Sequence, residues 1–256
     1  MKIIKYLGLL LLIIFTFFYT DKIINVINDN DDIMIKIKEE AINYKIDPIN
    51  AIIKEDTIIP GINGHEVDIT KSYNIMKNSK IYNPNLLKYK TIYPEYSINN
   101  NFNKYIIKGN NINNYVSIIY ILNNNFDNII NTIKNTNTKL NIFINYNYLE
   151  NNINSLNQLS NHEIYNYGNN GEYTNEIILL GNNIINNKAN NKSIYCLVLN
   201  KNINTLNTCE NNKMWTIIPT IKGNYIDIKN NIENGSIILI DNLSELDIIT
   251  NYLKNK

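Results

Sequence analysis

From Tyr115 to Leu253 the chain alternates between two hydrophobic periods, and this alternation limits its fold more than any other feature. The run YVSIIYIL (115–122) is continuous, apolar and rich in β-branched residues, as a strand buried on both faces requires. FDNIINTIKN follows, with Phe126, Ile129, Ile130 and Ile133 at the spacing of one helix face. The exchange then repeats: strand LNIFIN (140–145), helix 148–159, strand HEIYNY (162–167), helix 175–187. SIYCLVL (193–199), MWTIIPT (214–220) and SIILID (236–241) supply further strands, and a helix over 243–253 closes the chain on Leu246, Ile249 and Leu253. Strands separated by helices pair in parallel through right-handed crossovers. The expected class is therefore α/β, as an open doubly wound sheet or as an incomplete parallel βα barrel. Both place their chemistry at the carboxyl ends of the strands.

Composition removes several functions. With 44% hydrophobic residues in 256, the chain can bury a real core. Its 24 basic and 23 acidic residues are interspersed, so no basic stripe for nucleic acid is expected. Asn and Ile abound beside 19 Tyr, the imprint of AT-rich coding, and individual asparagines carry little weight for that reason. Two cysteines and two histidines leave little material for a Cys/His metal site, which normally takes three or four such ligands. Cys196 and Cys209 form either one disulfide or two buried thiols.

The amino terminus reads MKIIKYLGLLLLIIFTFFYTD. Lys2 and Lys5 flank an apolar run from Tyr6 to Tyr19 that ends without the small residues of a cleavage site. An uncleaved signal anchor, a transmembrane helix over residues 1–20, is expected, with an apolar span a little under the typical ~20 residues. The lysines place the start in the cytoplasm and the bulk of the chain outside the cell membrane. Residues 21–110 read as a stalk and a small irregular subdomain, punctuated by Pro48, Pro60, Pro84, Pro94, Gly61, Gly64 and Gly109. There Asp68 or Thr70 caps a helix carrying Tyr73 and Met76, and His65 beside Glu66 reads as a solvated turn histidine. The third division, 111–256, holds the alternating pattern.

The expected strand ends offer Leu122, Tyr167 with Gly168, Leu199 with Asn200, and Asp241 with Asn242. Only Asp241 carries a carboxylate there. No paired carboxylates, Gly-rich phosphate loop or G-x-S-x-G elbow stands there.

Three stretches, NHEIYNYGNNG (161–171), GSIILIDN (235–242) and VSIIYILNN (116–124), resemble the motifs of the polysaccharide deacetylase family, the NodB-homology domain of carbohydrate esterase family 4. LNIFIN and ELDIITNYLK resemble the neighbouring strand and helix, so the likeness covers about 115–256. Residues 58–110 resemble the segment before that domain in membrane-anchored members. The resemblance implies a distorted βα barrel that removes acetyl groups from extracellular glycans. In that family an Asp and two His hold a divalent metal, usually zinc, whose water attacks the acetyl carbonyl, with a second Asp as base and a late His as acid. Carried across, the two aspartates fall on Ile121 and Leu122, the ligand histidines on Tyr167 and Gly171, an arginine near Cys196, and the late histidine on Asp241. His162 and Glu163 survive as framework of their motif.

The resemblance with these replacements implies a scaffold without metal or other cofactor: a membrane-anchored pseudoenzyme at the cell surface that binds cell-wall glycan or a surface protein. Two alternatives stand beside it. One is a divergent hydrolase, with zinc or another divalent metal, working through Asp241, His162, Glu163 and Tyr167. The other is a structural surface protein with no sugar role. Tyr146, Tyr148, Tyr165, Tyr167 and Tyr173 supply rings either for sugar stacking or for the core.

Overall fold

A computed structural model describes residues 8, 10–20, 29–112, 114–123, 126–134, 136, 138–189 and 191–255. Two compact units emerge, Met1–Ile49 with Asn63–Tyr93, and Asn50–Ile62 with Pro94–Lys256. In chain order the strands are β1 Ile52–Lys54, β2 Thr57–Ile59, β3 Gly64–Val67, β4 Tyr89–Ile92, β5 Tyr105–Ile106, β6 Ser117–Leu122, β7 Asn141–Ile144, β8 Glu163–Asn166, β9 Tyr195–Leu197, β10 Trp215–Ile217, β11 Ile221–Gly223 and β12 Ile237–Ile240. The helices named below are α1 Asp32–Ala41, α2 Ile69–Met76, α3 Phe126–Lys134, α4 Tyr146–Asn151, α5 Asn175–Lys188, α6 Ile203–Asn211, α7 Tyr225–Asn231 and α8 Leu246–Lys254.

The smaller unit is more ordered than its prolines and glycines suggest. Asp31 caps α1 by accepting the Ile33 N–H at 2.9 Å, and Asp68, not Thr70, caps α2 by accepting the Lys71 N–H at 3.0 Å. The two helices pack with the antiparallel β3–β4 pair around Ile33, Met34, Ile37, Val67, Tyr73, Met76 and Leu87. His65 sits within β3, edge-on to Tyr89 at 5.1 Å, and is no free turn histidine. Residues 10–20 are helical, with Leu10 to Phe15, Phe17 and Phe18 exposed. Most of the remainder of the expected anchor, residues 1–7 and 9, lies outside the described residues. Among those described, no helix is long and apolar enough to cross a membrane.

The larger unit departs from the expected barrel. Its strands form two five-stranded sheets, ordered β1-β2-β5-β10-β9 and β11-β12-β6-β7-β8, rather than one closed ring. Neighbours pair in parallel except β1 with β2. The unit also begins well before residue 111, because β1, β2 and β5 come from residues expected to belong to the subdomain. Side chains alternate along each strand. Ile118, Leu122, Ile142, Ile144, Ile164, Ile238 and Ile240 face the helix layer, whereas Ile119, Phe143, Tyr165, Ile237 and Leu239 meet Ile58, Ile106 and Leu197 of the other sheet.

The gap between β8 and β9 shows why the ring stays open. No ladder forms there, and side chains satisfy the backbone instead. Asn191 accepts the Ile164 N–H at 2.9 Å and donates to its carbonyl at 2.8 Å, and Ser193 accepts the Asn166 N–H. The buried Tyr173 hydroxyl donates to the Asn166 carbonyl at 3.1 Å and accepts the Leu197 N–H at 3.0 Å. Cys196 and Cys209 are joined, tying β9 to α6 and closing the choice left open by the sequence.

Candidate functional site

The carboxyl ends of β6, β8 and β12 open into a cleft of about 360 Å³, lined by Ile121, Asn123, Tyr167, Asn170, Leu199 and Asp241 among others. Strand alternation decides which side chains reach it. Ile121 does, whereas Leu122 turns the opposite way and is fully buried against the helices, so only one of the two paired positions belongs to the cleft.

Tyr167 and Gly171 act together. Tyr167 is almost wholly buried, and burial raises its phenol above the ordinary tyrosine value. Gly171 has φ +86°, and a Cβ there would stand 3.2 Å from the Tyr167 hydroxyl. A side chain at 171 would begin in tight contact with the phenol ring, and the left-handed backbone disfavours any L side chain at that position. Asn145 holds the intervening loop by donating to the Asn170 side chain at 2.6 Å.

Asn166 fixes the loop from the strand side, a role that discounting asparagines concealed. Fully buried, it donates to the Ile177 carbonyl at 2.9 Å and accepts the Gly168 N–H at 2.9 Å. Gly181 on α5 makes room for it, since a Cβ there would come within 2.4 Å of its amide nitrogen. At the cleft rim the Lys222 ammonium donates to the Leu199 carbonyl. Nothing in the IKG sequence around Lys222 signalled that position.

The remaining sequence candidates lie elsewhere. Cys196 is buried in the disulfide, packed with Tyr173, Ile178 and Met214, and has no thiol to offer. His162 and Glu163 stand at the amino end of β8, and four residues of strand put Glu163 about 13 Å from Tyr167. His162 is structural: Nδ1 accepts the Leu140 N–H at 3.2 Å and Nε2 faces the Ile133 carbonyl at 3.2 Å. Burial lowers its pKa below 6.5, against a smaller opposing effect of the Ile133 carbonyl, and so favours the neutral ring. Burial pushes the Glu163 carboxyl up, but hydrogen bonds from Lys139 and Tyr165 together bring it below the usual range. Asp241 and Tyr167 are thus brought together, and His162 and Glu163 are not part of their site. Of the rings proposed for stacking, Tyr165 and Tyr173 serve the core.

Zinc, the metal that the resemblance implies, needs about three protein donors. Ile121, Tyr167 and Asp241 present two side chains without an anionic donor and one carboxylate, a set that does not fit it. Among the described residues no three His, Cys, Asp or Glu side chains converge.

No protein-family model matches the chain, and no curated protein does. Among solved structures it is similar to wild-type BA3943, a CE4 family pseudoenzyme from Bacillus anthracis, with a TM-score of 0.59 and 21% identity over 88% of this chain and 91% of that one. A BA3943 mutant with restored enzymatic activity gives a TM-score of 0.59 at 20% identity, covering 87% and 93%. The likeness establishes the fold: this is the α/β, mixed-sheet fold of the CE4 deacetylases.

Proposed function

We propose that the protein is a membrane-anchored, extracytoplasmic deacetylase-like protein that has lost metal-dependent hydrolysis and uses its cleft to bind cell-wall glycan or a surface partner. One observation carries the reading: in the cleft where the fold's chemistry is expected, Tyr167 packs against Gly171, the two positions at which the resemblance implies metal-binding histidines. Water bound to a protein without a metal keeps its high pKa, and Asp241 alone supplies no electrophile for an acetyl carbonyl. The pseudoenzyme status of the similar BA3943 chain supports a scaffold that outlives its active site. Most of the core between and behind the two sheets lies away from the cleft, and Tyr167 at the cleft is itself packed into it, so the scaffold holds without metal ligands there.

The exposed apolar side chains of residues 10–18 support the anchor, and the disulfide supports an oxidising compartment outside the cytoplasm. Protease added to intact cells should then digest the bulk of the chain, and full protection would refute the orientation. A divergent hydrolase has less support, because His162 and Glu163 lie at the far end of β8 from Asp241.

The test is hydrolysis of N-acetylated chitooligosaccharide and peptidoglycan with added zinc or cobalt. Acetate release should stay at the background level, and release abolished by a chelator would overturn the reading. Retention on purified peptidoglycan, weakened by Asp241→Ala at the exposed cleft carboxylate, is expected if glycan is the occupant. A folded protein that is not retained would leave a surface protein as the partner.

A further inference from the structure

We propose that the larger unit carries a second binding site, at the amino-terminal end of its two-sheet core, for a single-ring amphipathic molecule with an amine head. The proposal does not rest on the function assigned to the cleft. A cavity of about 320 Å³ lies between the sheets there, at the opposite strand ends from the cleft and within the size range of small-molecule sites.

Its walls and its mouth differ in character. Ile119 and Ile237 lie on the same sheet face as Phe143 and Tyr165, and Phe143, Tyr165 and Tyr195 form a row of rings with centroids 5.0 and 5.3 Å apart. Ser117, Asn141 and Glu163, the first residues of β6, β7 and β8, bring polar groups to one end. A packing void would be apolar throughout. Here an apolar, ring-lined volume ends in hydrogen-bonding groups, which suits a molecule built the same way.

Glu163 sets the charge of the head. It accepts from the Tyr165 hydroxyl and from the Lys139 ammonium at 2.6 Å, and a carboxylate has room for about four such bonds. Lys139 keeps 64% of its side-chain exposure, so it can leave the carboxylate without losing a buried position. An ammonium can then bond Glu163 while lying against the Tyr195 ring, which favours cations through its π face. An anionic head would meet the carboxylate directly and is disfavoured.

The experiment is a titration of the full chain in detergent with 2-phenylethylamine. It is followed by calorimetry and by the fluorescence of Trp215, the single tryptophan, whose ring lies 5.7 Å from that of Tyr195. Saturable binding is expected, with phenylacetate, the same ring on an anionic head, at least ~tenfold weaker. Ile119→Phe should fill the cavity and weaken 2-phenylethylamine by a similar factor, with Ile237→Phe serving the same purpose if the first variant does not fold. Glu163→Gln should narrow the gap between the two ligands. Absence of saturable binding to folded wild type, equal binding of phenylacetate, or unchanged affinity in a folded cavity-filling variant would overturn the proposal.

Discussion

The two sheets of the larger unit both pair parallel strands around one apolar layer, but they hold together differently. In β11-β12-β6-β7-β8 the central strands run four to six residues, each with a full backbone ladder and apolar side chains on both faces. In the other sheet β5, β9 and β10 run two or three residues. The ladder also lapses between β8, the edge of the first sheet, and β9, the edge of the second, where Asn191 and Ser193 satisfy β8, Tyr173 joins the Asn166 carbonyl to the Leu197 N–H, and the Cys196–Cys209 bridge ties β9 to α6. Packing dominates the centre of the first sheet, whereas individual hydrogen bonds and a covalent tie dominate the gap where the edges of the two sheets meet.

Substitutions can break that contrast. The largest effect is expected from Phe143→Ala, which removes a fully buried ring between the sheets and should cost about 3–5 kcal/mol in chemical denaturation. Next comes the double change Cys196→Ala with Cys209→Ala. The bridge closes a sequence separation of 13 residues, and in the chain-entropy account its loss costs about 3 kcal/mol. A smaller loss, about 2 kcal/mol, is expected for Tyr173→Phe, which keeps the ring and leaves the Asn166 carbonyl and the Leu197 N–H without their partner. If Tyr173→Phe proved neutral while Phe143→Ala unfolded the protein, packing would govern both sheets and the contrast would fail.

The same contrast explains what could be read from the sequence. β6, β7, β8 and β12 announced themselves because long β-branched runs are required where both faces are buried. β1, β2 and β5 did not: Ile52–Lys54 is exposed throughout, and Tyr105–Ile106 is too short to show a period. α6 and α7 were missed for a different reason. Asn202 caps α6, accepting the N–H groups of Asn204 and Thr205, and Asn224 forms a capping box with Asp227 on α7. Setting asparagine aside as background discarded the residue that starts both helices. The expected helix over 148–159 divides into α4 and a 3₁₀ stretch, Ile153–Leu159, where Asn152 leaves helical geometry. At the cleft, motif resemblance pointed to Tyr167 and Asp241, and both line it. It set His162 and Glu163 apart as framework, but it could not separate Ile121 from Leu122, because that distinction lies in the direction of each side chain.

His162 marks the limit of the contrast, for here the laddered centre of the first sheet also leans on a side chain. Its ring links the Leu140 N–H, just before β7, to the Ile133 carbonyl in α3, and burial keeps it neutral in the folded state. With its folded pKa below the ordinary histidine value of 6.5, the unfolded chain binds the proton more readily. Stability from this group is therefore complete above about pH 6.5 and declines as pH falls from there through the folded value. Glu163, held below 4.5, contributes its own acid loss only at lower pH, so the window just under pH 6.5 belongs to His162. Thermal melts between about pH 5 and 7.5 should show a modest fall in Tm toward acid, smaller than the effects above, and His162→Gln should lower Tm at neutral pH while flattening that fall. An undiminished slope in a folded His162→Gln protein would mean that another group supplies it, and that the ring holds the β7 edge through packing alone.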